Sequence, residues 1–133
     1  MEHPPVQRTE MEFANDQRFP EAHQILVISD FNRAFSKITA DAQSFVLIIT
    51  RGHIHDKIVL AQALRTEAAY IGMIGSRRKR DTIYRALASE GFSQQDLDRV
   101  HCPIGLEIEA ETPEEIAVSI VAQMIRERAG LKR

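Results

Sequence analysis

Short uninterrupted apolar runs alternate along this chain with longer stretches in which apolar residues recur every three or four positions. Ile25-Leu26-Val27-Ile28, Phe45-Val46-Leu47-Ile48-Ile49-Thr50 and Ala69 to Ile74 are the uninterrupted runs. Rich in β-branched residues and without polar alternation, they predict strands buried on both faces. The stretches between them predict helices. Ser29-Asp30 is a good N-cap pair for a helix over Phe31–Ile38. Arg51 to Asp56 reads as a loop, followed by a helix to about Arg65 that offers Ile58, Leu60, Ala61 and Leu64 for packing. Arg77 to about Glu90 is a helix ended by Gly91 at C′, and Ser93 caps a shorter helix through Arg99. Residues His101 to Leu106 read as irregular or as a short edge segment. Thr112-Pro113-Glu114-Glu115 is a complete helix start, with an N-cap threonine, proline at N1 and a capping-box glutamate at N3. The helix it opens, about Glu114 to Arg128, is apolar on most sides, which predicts burial against a sheet or a partner. Ahead of all this, residues 1–22 are polar and interrupted by Pro4, Pro5 and Pro20, and read as an extended arm.

Apolar strands alternating with helices over residues 23–133 predict an α/β domain, a parallel sheet flanked by helices. Ligands in such sheets bind outside the carboxyl ends of the strands. Three loops are placed there, expected side by side: Ser29-Asp30, Thr50 to Asp56, and Gly75 to Lys79.

Composition narrows the picture. With 133 residues the chain suits one such domain and a sizeable core. A net charge of −2 gives no global pull towards nucleic acid, and no apolar stretch approaches a membrane span. A single cysteine, Cys102, excludes an internal disulfide and suits a cytoplasmic protein.

The candidate chemistry is local. Tyr70-Ile71-Gly72-Met73-Ile74-Gly75-Ser76-Arg77-Arg78-Lys79-Arg80 carries an apolar run into a Gly-Ser turn and then four cations at a helix start. Cations there oppose the helix dipole, so a negative charge is expected close by: a phosphate-bearing ligand or an acidic partner. The alternative is an exposed basic turn that only solubilises. The spacing Gly72-x-x-Gly75-Ser76 is neither a full G-x-G-x-x-G nor a P-loop, and Gly72 within a strand suggests close backbone approach or tight helix packing. His53-x-His55-Asp56 could be a metal pair or an acid–base group, or a loop histidine with Asp56 as helix N-cap. His101 and Glu107 are the other obvious donors. Cys102 could be a thiolate activated by His101 or a sulfur carrier, or simply a small buried residue. The acidic run from Glu107 to Glu115 reads as a solvated face and helix cap.

Three segments together resemble one family. They are Ile48-Ile49-Thr50-Arg51-Gly52-His53 leading to Asp56, then Tyr70 to Arg80, then Pro103-Ile104-Gly105-Leu106 with Thr112-Pro113-Glu114-Glu115-Ile116-Ala117-Val118-Ser119-Ile120. In content, order and spacing they are similar to the C-terminal Rossmann-like domain of the XdhC/CoxI family, accessory proteins of xanthine dehydrogenase and related molybdenum hydroxylases. The resemblance runs from about Phe13 to the C-terminus. It implies a Rossmann-like fold and a cytoplasmic maturation factor that is not itself an enzyme. Such a factor binds the molybdenum cofactor (molybdopterin), supports its sulfuration by a cysteine desulfurase, and aids insertion into the apo-hydroxylase. On this reading Gly72, Gly75, Ser76, Arg77, Arg78 and Lys79 would contact the cofactor, with His53 and Asp56 beside them, and no metal bound directly. The chain departs from the family in lacking its separate N-terminal cysteine domain and the opening strand and glycine-rich turn of the Rossmann unit. A fragment, a split subunit or a homodimer is therefore expected. The fold type also suggests NAD(P) or another nucleotide as an alternative ligand. A third reading is a pure interaction subunit.

Overall fold

The computed structural model describes residues 6–8, 25–27, 30–50 and 53–132, in two units that divide after Thr39. In the first unit, β1 (Val6–Arg8) pairs in parallel with β2 (Ile25–Val27), Val6 opposite Ile25 and Arg8 opposite Val27. A short paired strand therefore lies within the stretch that the sequence reads as an extended arm. Asp30 is a cap as expected: its carboxylate accepts from the Asn32 amide at 2.9 Å. The helix expected through Ile38 stops after one 3-10 turn, Phe31–Arg33. Asn32 and Ser36 satisfy Asp30 and the Arg33 carbonyl locally (2.9 Å each), and such side-chain bonds compete with a helical ladder.

The second unit holds a parallel three-stranded sheet in the order β3 (Phe45–Ile48), β4 (Tyr70–Met73), β5 (Val100–His101). Phe45 lies opposite Tyr70, Ile48 opposite Met73, and Gly72 opposite His101. Parallel neighbours need crossovers. α1 (His53–Leu64) connects β3 to β4, and α2 (Arg77–Ser89) with the short α3 (Gln94–Leu97) connects β4 to β5. α4 (Pro113–Gly130) follows the last strand. The central β4 is buried along its whole length, as an apolar strand with no polar alternation should be.

Local signals set most boundaries. Ser76 accepts from the Lys79 amide, Ser93 and Asp96 form a reciprocal capping box, and so do Thr112 and Glu115. Gly91 takes φ +104°, a left-handed conformation that ends α2, and the Phe92 amide turns back to the Leu87 carbonyl at 3.1 Å.

Tyr70 organises the packing between the sheet and α4. Its ring stacks on Phe45 at 5.4 Å and on His101 at 4.8 Å, beside Ile104 and Ile120. Its hydroxyl donates to buried Gln123 of α4 at 2.7 Å, and the same amide oxygen accepts from the Gly105 amide at 3.0 Å. Burial pushes the Tyr70 hydroxyl up to about 12, so it stays a donor.

A second tie comes from Arg99. Its guanidinium donates to the carbonyls of Leu64 (3.1 Å), Thr66 (3.0 Å) and Ala68 (3.1 Å), where α1 ends. A cation is favoured at a helix C-terminus, and a planar fork reaches several acceptors at once. Arg99→Ala is expected to lower stability by about 2 kcal/mol, within the range for charged hydrogen bonds, and Arg99→Lys to recover less than half of the loss. Urea unfolding of the three proteins checks this. Equal stability of the alanine variant and the natural chain would remove the staple.

Candidate functional site

The carboxyl ends of β3 and β4 bring two of the three expected loops together. Past β3 lies Thr50, and α1 starts at His53, so His53 to Asp56 form its first turn and not the loop expected from the sequence. Asp56 is accordingly inside the helix and not its N-cap. Its carboxylate is fully buried, where it accepts from the Thr50 hydroxyl and forms an ion pair with Lys79. An acidic residue in a first turn agrees with the helix dipole, and these two partners fix it there. Ser29 and the segment Arg51-Gly52 lie outside the described residues, as does the His53 side chain. Asp30 belongs to the first unit.

Past β4, Gly75 takes φ +148° and Ser76 caps α2 through its hydroxyl, 3.1 Å from the Lys79 amide. Lys79 then folds back beneath Gly75. Its ammonium reaches the Ile74 carbonyl at 3.3 Å as well as Asp56, and its side chain is only 13 % exposed. A Cβ on Gly75 would sit 2.8 Å from the Lys79 Cδ, so the glycine leaves room for this lysine.

The four cations thus divide. Lys79 answers Asp56, Arg77 donates to Glu107 at 2.8 Å, and Arg80 donates to Asp81 at 3.0 Å and to the Cys102 carbonyl at 3.2 Å. The negative charge that the sequence demanded near the start of α2 is therefore partly supplied by the chain itself. Arg78 remains. It is exposed and pairs with no carboxylate among the described residues. The Arg77 and Arg78 amides, the first two of α2, likewise have no acceptor among them, as expected for N1 and N2 of a helix whose cap serves N3. The Arg77–Glu107 pair is exposed at both ends and is easily exchanged for another anion.

Gly72 stands apart from this edge. It is buried in β4, and a Cβ there would fall 2.5 Å from the Ile104 Cδ1 and 2.7 Å from the Tyr70 hydroxyl. The packing is tight, but its partners are the segment after β5 and Tyr70 of β4 itself, not the helix that the sequence suggested.

Cys102, absent from the set of expected contacts, joins it. Its thiol is buried 3.8 Å from the Gly75 carbonyl. Burial pushes the thiol up, against a smaller opposite pull from Arg80 and Lys79. His101 does not activate it. β5 ends at His101, whose ring lies on Tyr70 with Glu127 3.9 Å away, while the Cys102 thiol faces the Gly75 carbonyl. Burial lowers the His101 pKa, so the imidazole is held neutral. Cys102 also borders a groove of about 690 Å3 between α2 and α3, with Arg80, Tyr84 and Arg85. Within the groove Arg80 pairs with Asp81, Gln94 donates to Asp98 at 2.8 Å, and Arg85 donates to the Asp81 carbonyl at 3.3 Å.

Thr50 is the contact that sequence reading missed. Its position at the end of an apolar run, where ligand loops of parallel sheets begin, is the signal that pointed to it. Among the described residues no group of three or more His, Cys, Asp or Glu could hold a metal ion, and no helix is long and apolar enough to cross a membrane.

A parallel sheet with helical crossovers, whose candidate anion turn follows a central strand, defines a Rossmann-like α/β domain. The chain belongs to the XdhC family: the model of the XdhC Rossmann domain matches residues 5–124. It is 32% identical over 115 residues to the uncharacterized protein YqeB of Escherichia coli strain K12, covering 86% of this chain and 21% of that protein. A protein of Bacillus subtilis strain 168, named as a probable xanthine dehydrogenase component, is 26% identical over 116 residues, 87% of this chain and 33% of that one. A crystal structure described as a xanthine dehydrogenase from Bacillus halodurans superposes with a TM-score of 0.77 at 34% identity, over 95% of this chain and 35% of its own. The chain thus spans between about a fifth and a third of the length of the curated relatives it matches.

Proposed function

We propose that this chain is an accessory module in the cytoplasmic maturation of a xanthine-dehydrogenase-type molybdenum hydroxylase, and that it holds the phosphate end of the molybdenum cofactor. One observation carries the reading. At the carboxyl edge of β4, two amides and the Arg78 guanidinium, without acceptor or carboxylate partner among the described residues, open a helix whose neighbouring cations are already matched. That is what a phosphate monoester needs: backbone donors, a positive dipole end and one free cation. Xanthine dehydrogenase in the names of two relatives supports the choice of client.

Gly75 lets the backbone approach, the Arg77 and Arg78 amides with the Arg78 side chain hold the phosphate, and Arg77 exchanges Glu107 for it. Lys79, Asp56 and Thr50 stiffen the floor of the site and do not contact the ligand directly. When bound, the cofactor would supply the molybdenum redox centre of the client enzyme. Cys102, buried and with its thiol pushed up, is a poor sulfur carrier, so sulfuration falls to a partner desulfurase.

Titration of the purified chain with the molybdenum cofactor, NAD(P)H and a guanine nucleotide tests this. Tight binding of the cofactor is expected. Arg78→Ala should weaken it about tenfold or more, because one charged hydrogen bond contributes about 1.5–3 kcal/mol. Unchanged affinity sinks the site. Binding of NAD(P)H alone would favour a dinucleotide domain, and binding of nothing an interaction subunit.

A further inference from the structure

α4 has two dissimilar faces. Ile116, Ile120 and Met124 pack with Tyr70 and Ile104, and Gln123 takes the Tyr70 hydroxyl. The outer face carries Val118, Val121 and Ile125, which are 61, 54 and 49 % exposed. Their spacing of three and four residues makes one apolar stripe along the helix. The stripe is bounded by charge. Glu114 lies one turn before Val118 and Arg128 nearly one turn after Ile125, both exposed and both without an ion-pair partner among the described residues. The other charges nearby are engaged: Glu115 in its capping box, and Arg126 with Glu127 at 3.6 Å. Val121 is midway between Glu114 and Arg128, about 10 Å from each along the axis.

A stripe with an acid at one end, a base at the other and an apolar middle is complementary to itself turned end for end. We infer that α4 is a homodimer interface, in which two copies pack antiparallel about a two-fold axis through Val121, with Glu114 of each facing Arg128 of the partner subunit. The symmetry is that of an isologous contact, where one patch serves both copies. The antiparallel arrangement also sets the two helix dipoles head to tail. The acidic end argues against an anionic lipid surface. A contact of one helix pair is at the small end of specific interfaces, so the dimer should dissociate at low concentration. The inference is independent of the phosphate site, whose residues are on α2.

Sedimentation velocity of the full chain between ~1 and ~200 µM, spanning micromolar affinities, should show a concentration-dependent dimer. Val121→Asp should be monomeric throughout, with the circular dichroism of the natural chain and the melting that chain shows at low concentration, where it is dissociated, because the site is exposed. Arg128→Glu should weaken the dimer about three- to tenfold, and Glu114→Arg with Arg128→Glu should restore it. Val121→Cys should cross-link as a dimer on oxidation, since Cys102 is buried. A natural chain that stays monomeric would overturn the inference, as would a dimer that survives Val121→Asp. So would a charge swap that fails to restore what the single change lost.

Discussion

Asp56→Ala is expected to produce the largest loss of stability of any single polar substitution in the second unit, about 3–5 kcal/mol. The carboxylate is fully buried and answers two groups from other parts of the chain, the Thr50 hydroxyl and the Lys79 ammonium. Removing it leaves the Lys79 charge in a pocket that solvent barely reaches, and an uncompensated charge costs far more than the pair contributed. The residual exposure of Lys79 lets its ammonium seek water, which favours the lower end of the range. For a domain of this size the midpoint should fall by about 10 °C or more. Asp56→Asn keeps the shape and the Thr50 contact but not the charge, and should fall between. The diagnostic protein is the double variant Asp56→Ala with Lys79→Met. Once the orphaned charge is gone, it should regain about half of the loss. Thermal melts of the four proteins decide. A single variant melting within about 2 °C of the natural chain would show that the buried pair does not hold this edge.

The second large effect is expected at Gly72, where local and tertiary preferences have opposite signs. In a strand, alanine should be at least as good as glycine, and on that ground Gly72→Ala would be neutral or mildly stabilising. The packing argues otherwise. The new Cβ would meet the Ile104 side chain at 2.5 and 2.8 Å and the Tyr70 hydroxyl at 2.7 Å. Neither neighbour can yield freely. Tyr70 is stacked on two rings and bonded to Gln123, and the Ile104 amide is tied to the Met73 carbonyl at 3.2 Å. Overpacking of this kind should cost about 3 kcal/mol, several times the propensity gain. Gly72→Ala combined with Ile104→Val should lose less than the sum of the two single variants, because they share one space. Additive losses, or a stabilised Gly72→Ala, would refute the packing role.

Both effects concern residues the sequence singled out, and in both the sequence misjudged the partner. Asp56 was legible as an acid near a helix start, and Lys79 as one of four cations at another. That the two neutralise each other depends on β3 and β4 being adjacent and parallel, which carries both helix starts to one edge. Arg77 with Glu107 is the same case over a separation of 30 residues. That Arg78 has no carboxylate partner among the described residues becomes visible only after these pairs are subtracted. For Cys102 the sequence offered a thiolate activated by His101 or a small buried residue; the residue is buried, and His101 lies on Tyr70 instead. The expected helix after Asp30 failed for a local reason, since Asn32 and Ser36 satisfied the turn before a ladder could extend.

By itself the sequence determined the α/β class, the helix starts at Ser76, Ser93 and Thr112, the stop at Gly91, and the place of an anion-suited turn after the strand that proves to be central. These follow from periodicity and from capping bonds that span three or four residues, and the amino-acid order contains both partners of each. The tertiary structure alone decided which charges meet, that Gly72 is filled by Ile104, that Cys102 faces Gly75, and which side of α4 is left bare. Each of these joins residues tens of positions apart. Their meeting is set by strand order and register, and hydrophobic burial fixes that register without regard to which charges it brings together.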